Sequence, residues 1–520
     1  MQQESRIKKS LLNARMNLIC YFAALIVAFF SRKVFFDFLG AEFLGLTATI
    51  TSFLGFFNLA ESGVGTAIAF LLYKPIYNGD KNKINELISV FGYLYRLVGL
   101  FILSIGVLFS LFLPVIFPNT SFSWGIIYFA YYAAIFSSLL GYFVNYPQIL
   151  LSADQRNYEV TGYYQLVTVI QTLAQIALIY LINNYYVYIS LNIVFGVVYS
   201  LILYWRINKV YPWLKADVKS GRSLFKKYPD IWKYVKQIFI HKIGGYAHYQ
   251  LMPVLIYGYV SLPVVALYNN YLLIGGKLNA IVNSVLGSTS AGVGSLIAEG
   301  DKKKILTIYE KLFAIDTVAA GVIGACIYQL SSPFISLWLG EQYVLDSIVV
   351  LLISIEYFLG ILRLSTDQFI QGSGLFSDIW SPVAEIAILI VFSVVFGSLW
   401  GLPGILLGPI VSAFVLIYLW KPYFLFTRGF KMSVTYYWKG FLKNMSAFIL
   451  AYVSTYLLTE LIMSQIDLPL SWGQWVIHSI LFTTLMILFS CAFICAVSPG
   501  LKELIISGWN IIRSRLSRFV

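Results

Sequence analysis

Glu356, Arg363 and Asp367 stand seven and four residues apart inside a single apolar stretch, 346–371. On a helix turning about 100° per residue those steps return to within about 40° of one face. Arg363 and Asp367 meet there as i, i+4 partners, and Gln371 continues the stripe. An ionisable side chain at lipid depth costs about 2.5–3.5 kcal/mol on insertion scales, so such groups turn toward a bundle interior or a watery cavity. The column therefore reads either as a structural salt bridge with Glu356 snorkelling outward, or as the lining of a path.

Other charges fall in similar places. Lys277 lies about 16 Å into the stretch 266–297 at 1.5 Å per residue, with no carboxylate within a turn of it in sequence. It is the strongest candidate for meeting an anion. Glu61 sits near the middle of 44–73, too deep to snorkel easily; it faces a cavity or makes helix-packing hydrogen bonds. Lys242 is near the inner end of 238–261, where snorkelling competes with a site role, and His241 and His248 share its helix. Asp316 and Glu385 each lie about a turn and a half from the inner ends of their stretches, lining a mouth or facing headgroups. Arg32, with Lys33, stands at the outer end of the first stretch, where positive charge is disfavoured. Cations in this setting suit a phosphorylated substrate, which assigns Lys277, Arg363, Arg32 and Lys242 to substrate binding. Interspersed carboxylates suit ion or proton coupling, which assigns Glu61, Asp367, Glu385, Glu356 and Asp316.

The elements that must position these charges are membrane helices. The chain has 520 residues, 59% hydrophobic and 11% charged, with a mean hydropathy of +0.79. Soluble domains carry about 25% charged residues, and a span needs about 20 apolar ones. Fourteen stretches qualify: 13–34, 44–73, 90–116, 124–150, 160–182, 186–206, 238–261, 266–297, 311–337, 346–371, 380–399, 403–423, 441–463 and 473–497. The expected class is an all-α polytopic membrane protein with about 14 transmembrane helices. The first stretch lacks a small-residue cleavage site and reads as a permanent helix.

The net charge of +13 does not call for nucleic acid, because Lys and Arg gather in alternate connections. By the positive-inside rule both termini are cytoplasmic. The connection from Arg206 to Gln237 carries nine Lys and Arg with Trp213, Tyr228 and Trp232 among them; it reads as an amphipathic linker on anionic lipid, as does the tail bearing Arg513, Arg515 and Arg518. Of the four cysteines, Cys491 and Cys495 lie a turn apart without a His or carboxylate nearby, so no metal is expected. No cofactor is expected either: the chain has no phosphate-cradling loop with its Lys, no Ser-His-Asp set and no segment long enough for a separate catalytic domain, which argues against an enzyme.

The chain also nearly repeats itself. Gly63-Val64-Gly65-Thr66 is answered by Gly292-Val293-Gly294-Ser295, and Gly79-Asp80-Lys81-Asn82-Lys83-Ile84 by Gly300-Asp301-Lys302-Lys303-Lys304-Ile305. Secondary transporters are often built from such duplicated halves, with the substrate path between them. The expected plan is two six-helix repeat lobes plus two C-terminal helices: lobes at 1–209 and 238–430, a basic linker at 210–237, the extra pair at 431–498 and a basic tail at 499–520.

Leu39-Gly40-Ala41-Glu42-Phe43-Leu44-Gly45-Leu46, Leu59-Ala60-Glu61-Ser62-Gly63-Val64-Gly65, Leu72-Tyr73-Lys74-Pro75 and Gly401-Leu402-Pro403-Gly404-Ile405-Leu406-Leu407-Gly408 resemble the Wzx-type polysaccharide flippases of the multidrug/oligosaccharidyl-lipid/polysaccharide exporter superfamily. The resemblance covers nearly the whole chain. Glu61 and Glu385 stand at that family's acidic positions, while Pro409 replaces a threonine frequent in relatives. The resemblance implies a flippase of the bacterial cytoplasmic membrane that moves undecaprenyl-diphosphate-linked oligosaccharide repeat units for capsule, O-antigen or exopolysaccharide assembly. It implies alternating access with ion or proton antiport, a cationic cavity for the diphosphate, and partners among lipids, the polysaccharide polymerase and the chain-length machinery. The alternatives are a multidrug/cation exporter of the related branch and an integral-membrane polysaccharide polymerase. The first should carry a more acidic cavity and the second a large outer loop.

Overall fold

The structure, a computed structural model, describes residues 6–502 except 59–63, most of 229–249, most of 287–298, 376–377, 465–470 and the single positions 119, 155, 183, 379 and 499. The described residues form helices joined by turns and loops, and eleven of these helices are long and apolar enough to cross a membrane. It divides into two compact units, Met1–Ala266 and Leu267–Val520.

The first unit holds α1 (Arg6–Asn58), α2 (Val64–Asn78), α3 (Lys81–Ser110), α4 (Trp124–Phe143), α5 (Asn157–Ile182) and α6 (Tyr185–Val210). Apolar sequence suggests separate spans at 13–34 and 44–73. The chain does break between them: Gly40, with φ of 79° and ψ of 161°, leaves helical geometry, so Arg6–Asn58 is two helices joined at a kink that suits a residue without a Cβ. Two residues on, the Glu42 carboxylate accepts the Ser121 N–H at 3.0 Å and the Ser121 hydroxyl at 2.6 Å, which pins the loop before α4.

The basic connection after α6 packs along the start of α3. The Lys215 N–H donates to Asn85 Oδ1 at 2.8 Å, the Asp217 N–H to Ser89 Oγ at 2.9 Å, and the Tyr228 hydroxyl to Glu86 Oε2 at 2.7 Å. Burial and the Glu86 carboxylate push the Tyr228 hydroxyl up to about 12, so it stays a donor at any physiological pH. Val218, Gly221 and Ile231 turn inward while Lys215, Lys219, Lys226 and Lys227 stay exposed.

The second unit contains most of α7 (Leu262–Leu286), then α8 (Lys302–Trp338), α9 (Ser347–Leu362), α10 (Leu364–Gly372), α11 (Trp380–Trp400) and α12 (Leu402–Ser412), closing with α13 (Thr435–Met463) and α14 (Trp472–Val497). Between α12 and α13 the chain winds through π-helical turns at Ala413–Trp420 and Leu425–Phe430, separated by Lys421–Phe424.

The duplicated Gly-Asp-Lys motif builds the same device in each unit. Gly79 and Gly300 adopt φ of 68° and 77°, a left-handed turn that glycine takes without strain. The aspartate that follows caps a long helix: Asp80 accepts from the Lys83 N–H at 3.0 Å to start α3, and Asp301 from the Lys303 and Lys304 N–H groups at 3.0 and 3.1 Å to start α8. Ile84 and Ile305 are then buried beneath the cap. Half of the other repeated segment (Gly63, Gly292, Gly294 and Ser295) lies outside the described residues. Asp301→Ala is expected to lower stability by about 1 kcal/mol, and Asp80→Ala by a similar amount, read as a drop in thermal midpoint of the detergent-solubilised protein.

Candidate functional site

The stretch 346–371 is two helices. α9 stops at Leu362 and α10 restarts at Leu364, with Arg363 at the joint. A break frees backbone groups that lipid cannot satisfy, and here side chains satisfy them. The Tyr418 hydroxyl donates to Leu359 O at 2.5 Å. Asp316 on α8 accepts the Ser365 N–H at 2.7 Å and the Ser365 hydroxyl at 2.5 Å, capping the restarted helix from outside. Asp316 was expected near a helix end. Because α8 already starts at Lys302, Asp316 lies about 21 Å along it at 1.5 Å per residue, only 2% exposed.

The joint gathers four charges. Arg363 Nε donates to Asp367 Oδ2 at 2.6 Å, and Arg363 Nη1 stands 3.9 Å from Glu385 Oε1 on α11. Lys421 Nζ bonds the other Asp367 oxygen at 3.1 Å. Two cations and two carboxylates thus balance in a half-buried cluster, each side chain 17–27% exposed. The sequence stripe brings Arg363 and Asp367 together as expected of i, i+4 neighbours. Glu385 joins them from another helix, and Asp316 approaches through Ser365. Glu356 sits half-buried on α9, and Gln371 is exposed at the end of α10.

Lys277 lies half-buried on α7. Arg32 lies half-buried on α1, where its guanidinium sits 5.0 Å from the centre of the Phe36 ring and donates to Ala266 O at 3.3 Å; Lys33 beside it is exposed. Glu61, Lys242, His241 and His248 lie outside the described residues. Among the described residues no three His, Cys, Asp or Glu side chains gather as metal ligands.

Two charged groups escaped the sequence reading. Lys421 stands at the end of an apolar stretch, where it counts as an interfacial lysine. The π-helical turn Ala413–Trp420 ahead of it shifts its angular position relative to an α-helix, and such bulges often mark functional places. Glu159 is the second, buried under Arg206 at 2.7 Å and Arg156 at 3.2 Å. Its signal was an acid followed by an arginine 47 residues on, which local spacing cannot expose.

No protein-family profile and no curated protein matches the chain. Among solved structures it is similar to the lipid II flippase MurJ in an inward closed conformation, with a TM-score of 0.60 and 15% identity over 91% of this chain and 98% of that one. It is also similar to a multidrug resistance MATE family transporter of the MOP superfamily in an inward-facing conformation, with a TM-score of 0.52 and 16% identity over 77% and 93%. A eukaryotic MATE transporter gives a TM-score of 0.52 and 17% identity over 82% and 97%. The chain is an all-α polytopic membrane protein with the fold that MurJ and the MATE transporters share.

Proposed function

We propose that this protein is a flippase that carries undecaprenyl-diphosphate-linked oligosaccharide repeat units across the bacterial cytoplasmic membrane by alternating access. The observation that carries this reading is the likeness to a lipid II flippase over 91% of the chain, against 77% and 82% for the two MATE transporters. Lys277 and Arg32, each half-buried within its own unit, are the candidates we put forward for the diphosphate, with Arg363 and Lys242 as further candidates. The balanced cluster of Arg363, Asp367, Lys421 and Glu385 is suited to exchanging partners when a cation or proton enters, and Glu61, Glu356 and Asp316 are further acids to test for coupling. Moving one elementary charge across the membrane supplies about 2.3 kcal/mol per 100 mV, so counterflow of a cation can drive the cycle without a nucleotide. Polymerase and chain-length machinery would receive the exported unit.

The test is complementation of a host lacking its own flippase. The unaltered chain is expected to restore surface polysaccharide, while Lys277→Ala and Glu61→Ala leave lipid-linked units in the inner leaflet at normal protein levels. Full export by both variants would overturn these site assignments. A second reading, export of cationic compounds, is favoured by the charge balance around Asp367, where both cations are already neutralised. It predicts extrusion of a cationic dye with no rescue of polysaccharide.

A further inference from the structure

α8, α13 and α14 converge at the lysine-rich end of the second unit around a cavity of about 260 Å³. Drug-sized ligand sites run about 300–1,000 Å³, so this one has room for a headgroup and not for a whole lipid. Its floor is aromatic. Tyr309 stacks on Phe313 with centroids 6.1 Å apart, and Phe313 meets Tyr437 at 5.8 Å. Lys439 and Lys443 stand one turn apart on the wall formed by α13, both exposed. Glu310 stands opposite on α8, where it accepts the Tyr436 hydroxyl at 2.6 Å.

Asn444 supplies the specific feature. It is 6% exposed and lines the cavity. Its Nδ2 donates to Gly440 O at 2.9 Å. That carbonyl can only accept, so the amide orientation is fixed and Oδ1 is left as the second pole. Oδ1 has no partner among the described residues. A buried acceptor left unsatisfied is costly, and Asn444 shares the lining of this cavity with Lys439 and Lys443 at the end of three candidate membrane spans.

We propose that this cavity binds the headgroup of a glycerophospholipid whose phosphate carries a hydrogen-bond donor, the chemistry of phosphatidylethanolamine or phosphatidylglycerol. The phosphate pairs with Lys439 and Lys443. The ammonium or hydroxyl beyond it donates to Asn444 Oδ1, and an ammonium also faces Glu310. The acyl chains remain in the bilayer. Such a site ties the last two helices to the composition of the leaflet and holds independently of what the protein transports.

The experiment titrates lipids into the full chain in detergent and reads the thermal midpoint, from which mass action gives apparent affinity. Phosphatidylethanolamine and phosphatidylglycerol are expected to stabilise the protein. Phosphatidylcholine, whose quaternary ammonium has no N–H, should bind about tenfold more weakly, the worth of one hydrogen bond. The double change Lys439→Ala/Lys443→Ala should weaken the first two by about thirtyfold, about fivefold for each lysine. Asn444→Leu should erase the preference over phosphatidylcholine. Equal affinity for all three lipids in the unaltered protein would overturn the donor assignment, and an unchanged affinity in the lysine variant would overturn the phosphate assignment. Equal stabilisation by glycerol 3-phosphate would show that the ligand is a soluble phosphate ester and remove the lipid from the proposal.

Discussion

Asp367→Ala is expected to remove about 3–5 kcal/mol of stability and to abolish the export proposed above, because truncating one partner of a desolvated ion pair strands the others. Asp367 divides its two oxygens between Arg363 Nε at 2.6 Å and Lys421 Nζ at 3.1 Å. Without it, two cations are left with Glu385, whose nearest approach to Arg363 is 3.9 Å. The side chains retain 17–27% exposure, so water relieves part of the penalty and the lower half of that range is expected. Adding Arg363→Met to Asp367→Ala should recover most of the loss, since the remaining Lys421 and Glu385 balance, but it should recover no export. Unfolding of both variants in detergent, alongside export in the deletion host, separates the two roles. A single variant as stable as the parent would mean that the cluster is as good as solvated.

The pairing of Arg363 with Asp367 was legible because it obeys helical spacing, which a sequence states outright. So was the duplicated Gly-Asp-Lys motif, in which residue type alone dictates a positive φ and a cap. The depth of Asp316 was not legible. Hydropathy begins a helix at its first apolar residue, whereas α8 begins at its aspartate cap with three lysines still ahead of the apolar run. The part played by Lys421 was hidden for a different reason. Its direction depends on the π-helical turns around it, and these arise from packing that no local propensity announces. The break at Arg363 is of the same kind, since it persists because Asp316 and Tyr418, distant in sequence, satisfy the groups it frees.

Gly408→Val is expected to be strongly damaging to the α11–α12 hairpin, costing about 3 kcal/mol or more, at or beyond the upper end of ordinary overpacking. The turn Gly401-Leu402-Pro403-Gly404 starts α12 with φ of 61° at Gly401, and Gly404 and Gly408 then form a GxxxG face. A Cβ at Gly404 would lie 2.0 Å from Phe396 O, and one at Gly408 would lie 2.0 Å from Ser393 Oγ and 2.6 Å from Leu389 O. Small residues of this spacing let membrane helices touch backbone to backbone. Neither contact can be relieved by rotating one flexible side chain, since backbone oxygens close both, so the helices must separate. That separation reaches the charged cluster. The Ser412 hydroxyl donates to Glu385 O at 2.6 Å, so α12 sets the height of Glu385 opposite Arg363. Gly408→Val should therefore lose export although every charged residue remains, and Gly408→Ala should show the same defect more mildly. If Gly408→Val unfolds at the parental midpoint and exports normally, the hairpin is not what holds Glu385 in place.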